Sequence, residues 1–217
     1  MAKVKGPSIE KKEKETWLST EAKQFLESCQ TLRWKVAFLV GMHTGMRRGE
    51  ILALKWENLD FGKSVYSVKE TLVSTKSKGL IITTPKTPNS LRDVLLPKSL
   101  LETLAELKKE QDIMKKRMGT AYHSKNLVIS TVDGRPIYPR NLTRTFDNHV
   151  KKAGVKRISF HGLRHTNATI LMREGINPKI VSERLGHANV AITLDLYSHT
   201  DLDMQRETTS VLEEKLN

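Results

Sequence analysis

The chain has 217 residues, with 37 Lys and Arg against 24 Asp and Glu, a formal net charge of +13 and a pI of about 9.8. This length fits one ordinary domain with a short leader, and no run approaches the roughly 20 apolar residues of a membrane-spanning helix. The positive charge favours a polyanionic partner, with nucleic acid as the first candidate and an anionic membrane surface as the second.

Residues 1–16 are rich in Lys and Glu and poor in apolar side chains, which is typical of a linker or leader. They lack the apolar stretch of a secretory signal, so we expect a cytoplasmic protein that does not associate with membranes. Cys29 is the only cysteine and has no Cys or His at metal-ligand spacing, so neither an internal disulfide nor a metal site is expected.

The first elements are predicted to be helices. From Trp17 onward, apolar spacing indicates one helix through residues 22–26 and a second through residues 32–40, which Thr44 and Gly45 end. A third helix is predicted over residues 47–56.

Residues 64–96 have a β-type pattern. Apolar runs at 65–68, 80–82 and 94–96 predict one small three-stranded antiparallel sheet.

The rest of the chain is predicted to be mainly helical. A long helix should follow Pro97 and run into the basic residues 115–117, and after a short extended piece at 127–130 another helix should stop at Gly154. Further helices are predicted at 161–174, at 178–185, just before residue 197, and at 201–216. The fold class is therefore predicted to be α+β, mainly helical, with the domain spanning residues 17–200 and an amphipathic helix at 201–217.

Three short motifs contain side chains suited to an anion. Residues 161–165 read His-Gly-Leu-Arg-His at a helix start, and the three-residue spacing of His161 and Arg164 places both side chains on one helix face. Such a set can equally be a solvated face or a structural cap. In the second motif, Gly45 permits a turn that directs Arg47 outward, and Glu50 could orient its guanidinium; the alternative is an ordinary surface arginine.

The third motif is Leu-Gly-His at residues 185–187, followed ten residues later by Tyr197. A lone tyrosine at such a position is usually a core or interface residue. In combination and in this order, the three motifs resemble the conserved boxes of the tyrosine recombinase, or phage-type integrase, family.

The resemblance implies a role for each residue. Arg47, Arg164 and His187 would bind a backbone phosphate of DNA, His161 would accept a proton, and Tyr197 would be the nucleophile. The family's catalytic lysine lies on a β-hairpin. Lys86 fits the pattern Lys-Thr-x-x-Ser-x-Arg of such hairpins, and Lys76 and Lys78 are the alternatives.

The resemblance also implies the reaction and the partners. We expect a site-specific recombinase that forms a 3′-phosphotyrosyl intermediate on double-stranded attachment sites, without ATP, metal or cofactor. It implies a homotetramer in the synaptic complex, a monomer without DNA, and accessory DNA-bending or directionality proteins in the cytoplasm and nucleoid of a bacterium. The ten-residue step from His187 to Tyr197 resembles integrases of mobile elements and prophages.

Two other functions fit the same residues. A type IB topoisomerase uses the same side chains, and a DNA-binding module without catalysis would share the positive charge. The family normally has an N-terminal DNA-binding domain, which this sequence does not contain, so we expect it to be the catalytic part of a longer protein.

Overall fold

The computed structural model describes residues 15–85, 87–195 and 213. The helices are α1 (Ser19–Glu27), α2 (Leu32–Thr44), α3 (Arg48–Leu52), α4 (Lys98–Met118), α5 (Pro139–Ala153), α6 (Gly162–Arg173), α7 (Pro178–Leu185) and α8 (Ala191–Leu194). The strands are β1 (Leu59–Asp60), β2 (Val65–Val68), β3 (Thr71–Thr75), β4 (Gly79–Thr83) and β5 (Arg92–Leu95). The predicted helix-dominated α+β class is confirmed. Over the residues described, no helix combines the length and apolar character needed to cross a membrane.

Aromatic side chains from three helices form the centre of the core. Phe25 of α1, Phe38 of α2 and Phe146 of α5 are fully buried, with ring centroids 5.1 to 5.6 Å apart. Trp17 packs on Phe25 at 4.8 Å and donates from Nε1 to the carbonyl of Lys156 at 2.6 Å. Aromatic pairs at such distances contribute about 0.5–1.5 kcal/mol each beyond the area they bury. This cluster therefore fixes the positions of α1, α2 and α5 relative to one another.

Helix α6 connects this core to the last helices. Leu163 of α6 is buried in the main cluster, and the side-chain amide of Asn167 donates to the carbonyl of Met42 in α2 at 2.6 Å. A smaller apolar cluster, which includes Met172 of α6 and Leu185 of α7, holds α6 against α7. The start of α6 and the end of α7 are thereby held near the end of α2.

The β segment forms two antiparallel units instead of the single sheet that was predicted. Strand β2 pairs with β1 on one side and β5 on the other, with Val65 opposite Leu95. Strands β3 and β4 form a separate hairpin in which Thr71 lies opposite Thr83. The prediction that residues 80–82 join the sheet was wrong, because they pair with β3, whose largely polar sequence gave no strand signal.

Helix α3 is shorter than predicted. It ends at Leu52, residues 54 and 55 are extended instead of helical, and a short 3-10 turn begins at Trp56. The carbonyl of Leu54 accepts from Val128 at 2.7 Å, and the N–H of Trp56 donates to Asn126 at 3.0 Å. These pairings use the backbone groups that a continuing helix would need.

The remaining predicted helices are confirmed in position. Helix α4 runs through the basic residues 115–117, α5 ends at Gly154, and α7 begins at Pro178 with the side chain of Asn177 accepting from the N–H of Lys179 at 2.9 Å. The predicted helix at 201–216 lies outside the described residues except for residue 213.

Candidate active site

Arg47 lies in the turn between α2 and α3, where it is the N-cap residue of α3. Its backbone N–H and its Nη1 donate to the two carboxylate oxygens of Glu50, at 3.0 and 2.8 Å. Its Nη2 donates to the carbonyl of Gly186 at 2.8 Å. Because 38% of the side chain stays exposed, the guanidinium is held in place and still faces solvent. The contact with Glu50 is the one that the sequence predicts.

Glu50 is a buried carboxylate that joins two arginines. It also accepts a hydrogen bond from Nη2 of Arg92 at 2.9 Å, and its side chain is only 2% exposed. Burial raises the pKa of Glu50, but the hydrogen bond and charge of Arg92 and the donors of Arg47 outweigh it, so the net pKa is below its ordinary value. The carboxylate is therefore ionised at neutral pH.

Arg164 is the most deeply buried cation of the site, at 2% exposure. Its Nη1 donates to the carbonyls of Gly45 and Leu185, both at 2.7 Å, whereas its buried Nη2 has no hydrogen-bond partner among the described residues. Burial, and after it the charge of Arg47, lowers the pKa of Arg164 to about 9. It is therefore still a cation at neutral pH, and an anionic oxygen at Nη2 would satisfy its remaining donor.

His187 follows the left-handed Gly186 that ends α7. Burial, followed by the charges of Arg164 and Arg47 and then of His165 and His161, lowers the pKa of His187 to about 3. These charges act on His187 because the segments that carry them converge on one place. We define Arg47, Arg164 and His187 as the phosphate-ligand cluster.

His187 is neutral at neutral pH, and Thr193 of α8 fixes its ring. The Nδ1 atom of His187 lies 2.8 Å from the hydroxyl oxygen of Thr193, which is fully buried. When this hydroxyl donates to Nδ1, the ring proton is on Nε2, and Nε2 becomes an N–H donor.

His161 is the exposed N-cap residue of α6. Its ring packs edge-to-face on His165, with centroids 4.6 Å apart. A cavity of about 460 Å³ lies beside the first turn of α6 and is lined by His165 and Gly162, but by no member of the phosphate-ligand cluster. Of the cluster, Arg47 reaches the surface, with 38% of its side chain exposed, whereas Arg164 lies buried behind it.

Lys86 and Tyr197 lie outside the described residues, so their predicted roles are untested. The residues that follow Lys86 do reach the cluster: the hydroxyls of Thr87 and Ser90 are 2.8 Å apart, and that of Ser90 is 3.5 Å from Nη1 of Arg47. The alternatives Lys76 and Lys78 lie exposed in the turn between β3 and β4.

Two contributors to the site were not predicted. Arg92 was noted only as part of the Lys-Thr-x-x-Ser-x-Arg pattern, and its role depends on Glu50, 42 residues earlier. Thr193 meets His187 across the turn from α7 to α8, and no motif indicated it.

The site presents hydrogen-bond donors and positive charge. Arg47, Nη2 of Arg164 and Nε2 of His187 can together bind the oxygens of one phosphate. Within residues 15–85 and 87–195, no group of three or more His, Cys, Asp or Glu side chains is arranged to hold a metal ion. The donors of Arg47, Arg164 and His187 fit a phosphate group bound directly by side chains.

Comparison with known proteins tests the resemblance. Residues 10–204 match the model of the phage integrase family. The chain is 37% identical over 196 residues to a "Tyrosine recombinase XerC-like" protein of Caldanaerobacter subterraneus, over 85% of this chain and 50% of that protein. It is 30% identical over 216 residues to the ICEBs1 integrase of Bacillus subtilis, over 98% of this chain and 58% of that protein. The chain thus spans about half of the length of these relatives.

Solved structures share the fold. The Tn1549 transposon integrase in complex with transposon right end DNA aligns with a TM-score of 0.81 at 22% identity, over 95% of this chain and 69% of that one. XerA recombinase aligns with a TM-score of 0.68 at 25% identity, over 96% of this chain and 66% of that one. The resemblance found in the motifs is confirmed, and the chain belongs to the phage integrase family.

Proposed function

We propose that this chain is the catalytic part of a site-specific DNA recombinase that integrates or excises a mobile element or prophage. The observation that carries the proposal is the phosphate-ligand cluster, in which a buried arginine keeps an unsatisfied donor beside a second, exposed arginine and a neutral histidine. Membership of the phage integrase family and the names of the relatives support the same reaction.

In the proposed reaction the phenolic oxygen of Tyr197 attacks a backbone phosphorus. A bond forms between that oxygen and phosphorus while the bond from phosphorus to the 5′ oxygen breaks, which leaves a 3′-phosphotyrosyl link and a 5′ hydroxyl. His161 accepts the phenolic proton and Lys86 protonates the departing 5′ oxygen. The reverse attack by a 5′ hydroxyl of the second duplex rejoins the strands.

The phosphate-ligand cluster stabilises the charge that builds up on the non-bridging oxygens. Arg47 and Arg164 supply two guanidinium groups, and His187 donates a hydrogen bond from Nε2. The energy of the phosphodiester is kept in the covalent link, so we infer no requirement for ATP. We infer no metal either, because the arginines supply the positive charge that a divalent ion supplies in other nucleases.

Lys86 is preferred over Lys76 and Lys78 on its position in the sequence. It directly precedes Thr87, whose hydroxyl bonds to that of Ser90 beside Arg47. Consecutive Cα atoms are about 3.8 Å apart, so a lysine at 86 belongs to the segment that reaches the cluster.

We infer that the chain acts as a homotetramer on two DNA sites and is a monomer without DNA. One structure of this fold, at 18% identity and a TM-score of 0.55, is described as a lambda integrase tetramer bound to a Holliday junction. Exposed apolar side chains on α7 and α8, among them Ile180 at 58% and Leu194 at 46%, would receive the predicted helix 201–216 of a neighbouring subunit. Deletion of residues 203–217 should then weaken self-association on DNA while the monomer stays folded, and unchanged assembly would argue against docking.

The remaining partners are inferred from the proposed reaction alone. They are double-stranded attachment sites and accessory DNA-bending or directionality proteins. We infer that the chain acts on them in the cytoplasm and nucleoid of a bacterium. A type IB topoisomerase would share the cleavage step, and strand exchange between two duplexes separates the two functions.

Covalent capture tests the proposal. The protein is incubated, in EDTA and without ATP, with a pool of nicked, end-labelled duplexes whose central segment is randomised. Adducts that survive SDS are recovered and sequenced. We expect adducts with the wild-type chain and none with Tyr197→Phe. A wild-type chain that shifts the duplexes in a gel but forms no adduct would contradict the proposal and favour a binding module without catalysis.

The recovered sequences then separate the two enzymatic functions. Two duplexes that carry the same recovered site should exchange strands. An end label on one duplex then appears in a recombinant product that also contains the other duplex. Relaxation of a supercoiled plasmid lacking the site, without any strand exchange, would instead indicate a topoisomerase.

A further inference from the structure

Arg92, the first residue of β5, uses all three guanidinium nitrogens for contacts inside the protein. Its Nε donates to the carbonyl of Arg184 in α7 at 2.8 Å, its Nη1 to the carbonyl of Ser90 at 3.1 Å, and its Nη2 to Glu50 at 2.9 Å. The side chain is 7% exposed. Arg92 is therefore held away from solvent and does not present its charge to a ligand.

Each partner of Arg92 adjoins a different part of the site. Glu50 binds Arg47 through both carboxylate oxygens. Ser90 also contacts Arg47, through its hydroxyl. Arg184 lies in the last turn of α7, just before Gly186, whose carbonyl binds Arg47. A single guanidinium thus connects α3, the segment before β5 and the end of α7.

Gly186 allows this arrangement because it has no side chain. A Cβ atom at Gly186 would lie 2.7 Å from the carbonyl oxygen of Asn89 and 3.0 Å from Nη1 of Arg92. Arg92 and the segment before β5 therefore pack directly on the backbone that leads to His187. A shift of Arg92 would be passed to this backbone and to Glu50 together.

We propose that Arg92 is a positioning residue that acts through Glu50 to fix Arg47 relative to the turn carrying His187. The inference rests on the proposed function, since Arg47 is there the ligand of the scissile phosphate. A lysine keeps the charge, but its single nitrogen cannot occupy the three donor positions of a planar guanidinium. The charge of Arg92 alone is therefore not sufficient for this role.

The test compares Arg92→Lys, Arg47→Lys and the double variant, with Arg33→Lys as the matched control. Arg33 is a half-buried arginine that donates to the carbonyl of Ser130, outside this network. One measurement is the rate of adduct formation on a captured nicked duplex at saturating protein, with DNA binding measured separately. The other is the stabilisation of the fold against urea by inorganic phosphate, at ionic strength held constant with chloride.

We expect Arg92→Lys to slow adduct formation about 100-fold, the size of effect that a misplacement of about 1 Å produces, with DNA binding unchanged. In the Arg47→Lys background the same change should have little further effect, because two residues of one network are not additive. Arg33→Lys should behave as wild type. Additive losses, or an equal loss in Arg33→Lys, would show a general structural role and overturn the proposal.

Glu50→Asp keeps the test valid if Arg92→Lys fails to fold. The shorter carboxylate retains its charge but cannot reach Arg47 and Arg92 together, so adduct formation should fall while DNA binding stays; an unchanged rate would overturn the proposal. The two proposals also fail separately. If the wild type forms no adduct but its stabilisation by phosphate depends on Arg92 through Arg47, the proposed function fails and the positioning role stands. If the wild type forms adducts but neither the rate nor the stabilisation by phosphate depends on Arg92, only the positioning role fails.

Discussion

Replacing Glu50 with Gln removes the carboxylate that, among the described residues, bonds to both Arg47 and Arg92, and should destabilise the fold strongly. The Glu50 and Arg92 side chains are 2% and 7% exposed, so Arg92 would become a buried cation that has lost its ion-pair partner. Loss of one partner of a buried ion pair typically costs about 3–5 kcal/mol. The pair with Arg47 adds little to this figure, because that side chain is 38% exposed and solvent screens it. A domain of this kind has a total stability of about 5–15 kcal/mol, so the loss is large.

Acid should reduce the difference in unfolding free energy between the wild type and Glu50→Gln. The pKa of Glu50 is lower in the folded chain than its ordinary value, so its stabilisation is present above the ordinary pKa and is lost as the pH falls through the folded pKa. As the pH falls from the ordinary pKa of a glutamate through the lower pKa of the folded chain, the wild type should therefore approach Glu50→Gln, since a protonated carboxyl is also neutral.

Urea unfolding followed by circular dichroism at neutral and acid pH measures both effects. Glu102→Gln is the control, because Glu102 is 64% exposed and only 4.0 Å from the exposed Lys98; it should change the unfolding free energy by less than about 0.5 kcal/mol. If Glu50→Gln stays within about 1 kcal/mol of wild type at neutral pH, or if acid leaves the difference unchanged, the assignment of Glu50 as an ionised buried partner is wrong.

Three further changes have expected outcomes. Thr193→Val removes the hydroxyl that holds His187 and should lower the unfolding free energy in urea by about 0.5–1.5 kcal/mol. It should also slow adduct formation more than it weakens DNA binding. A faster or unchanged rate of adduct formation would contradict the role of Thr193. Gly186→Ala should lose about 1–3 kcal/mol more than Gly175→Ala, because both glycines have a positive φ but only the Cβ at Gly186 meets other atoms; equal losses would show that the backbone contact is unimportant. Phe146→Ala should cost about 3–5 kcal/mol, because its fully buried ring contacts four other aromatic residues of the core. A loss under about 1 kcal/mol would mean that the core closes over the gap.

Helices with a regular apolar face and a clear end were predictable from the sequence. In α5, Leu142, Phe146 and Val150 recur every four residues and all are buried, and Gly154 ends the helix in the left-handed conformation. Local spacing and a helix stop are sufficient for such an element. The same holds for the long helix α4.

The β segment and the end of α3 depended on contacts between distant residues. Strand β3 has the sequence Thr-Leu-Val-Ser-Thr, and only Leu72 is buried, so its strand character comes from pairing with β4. Residues 54–56, which leave the helical path after α3, are held by residues 126–128, about a third of the chain away. No local pattern encodes either pairing.

The candidate site divides in the same way. Arg47, Arg164 and His187 were predicted because each lies in a short motif at a helix end. Their partners were not, since Arg92 meets Glu50 and Thr193 meets His187 only after the fold has formed. The roles of Lys86 and Tyr197 stay predictions.

The arginines of the site are held mainly by backbone carbonyls at the ends of two helices. Gly45 follows α2, and Leu185 and Gly186 are at the end of α7; their carbonyls accept from Arg164 and Arg47. Helix C-termini carry about half a negative elementary charge, but as dipoles they cancel no formal charge. Arg47, Arg92 and Arg164 carry three positive charges against the one negative charge of Glu50, which leaves a net formal charge of +2.

A carboxylate in place of each of these helix-end carbonyls would have held the same arginine side chains. Its negative charge would, however, have neutralised theirs and removed the attraction for an anion. The protein instead keeps a long-range field, which acts over about 8 Å at physiological ionic strength. Added salt should therefore slow the encounter with a polyanion, while the step that follows binding is screened much less.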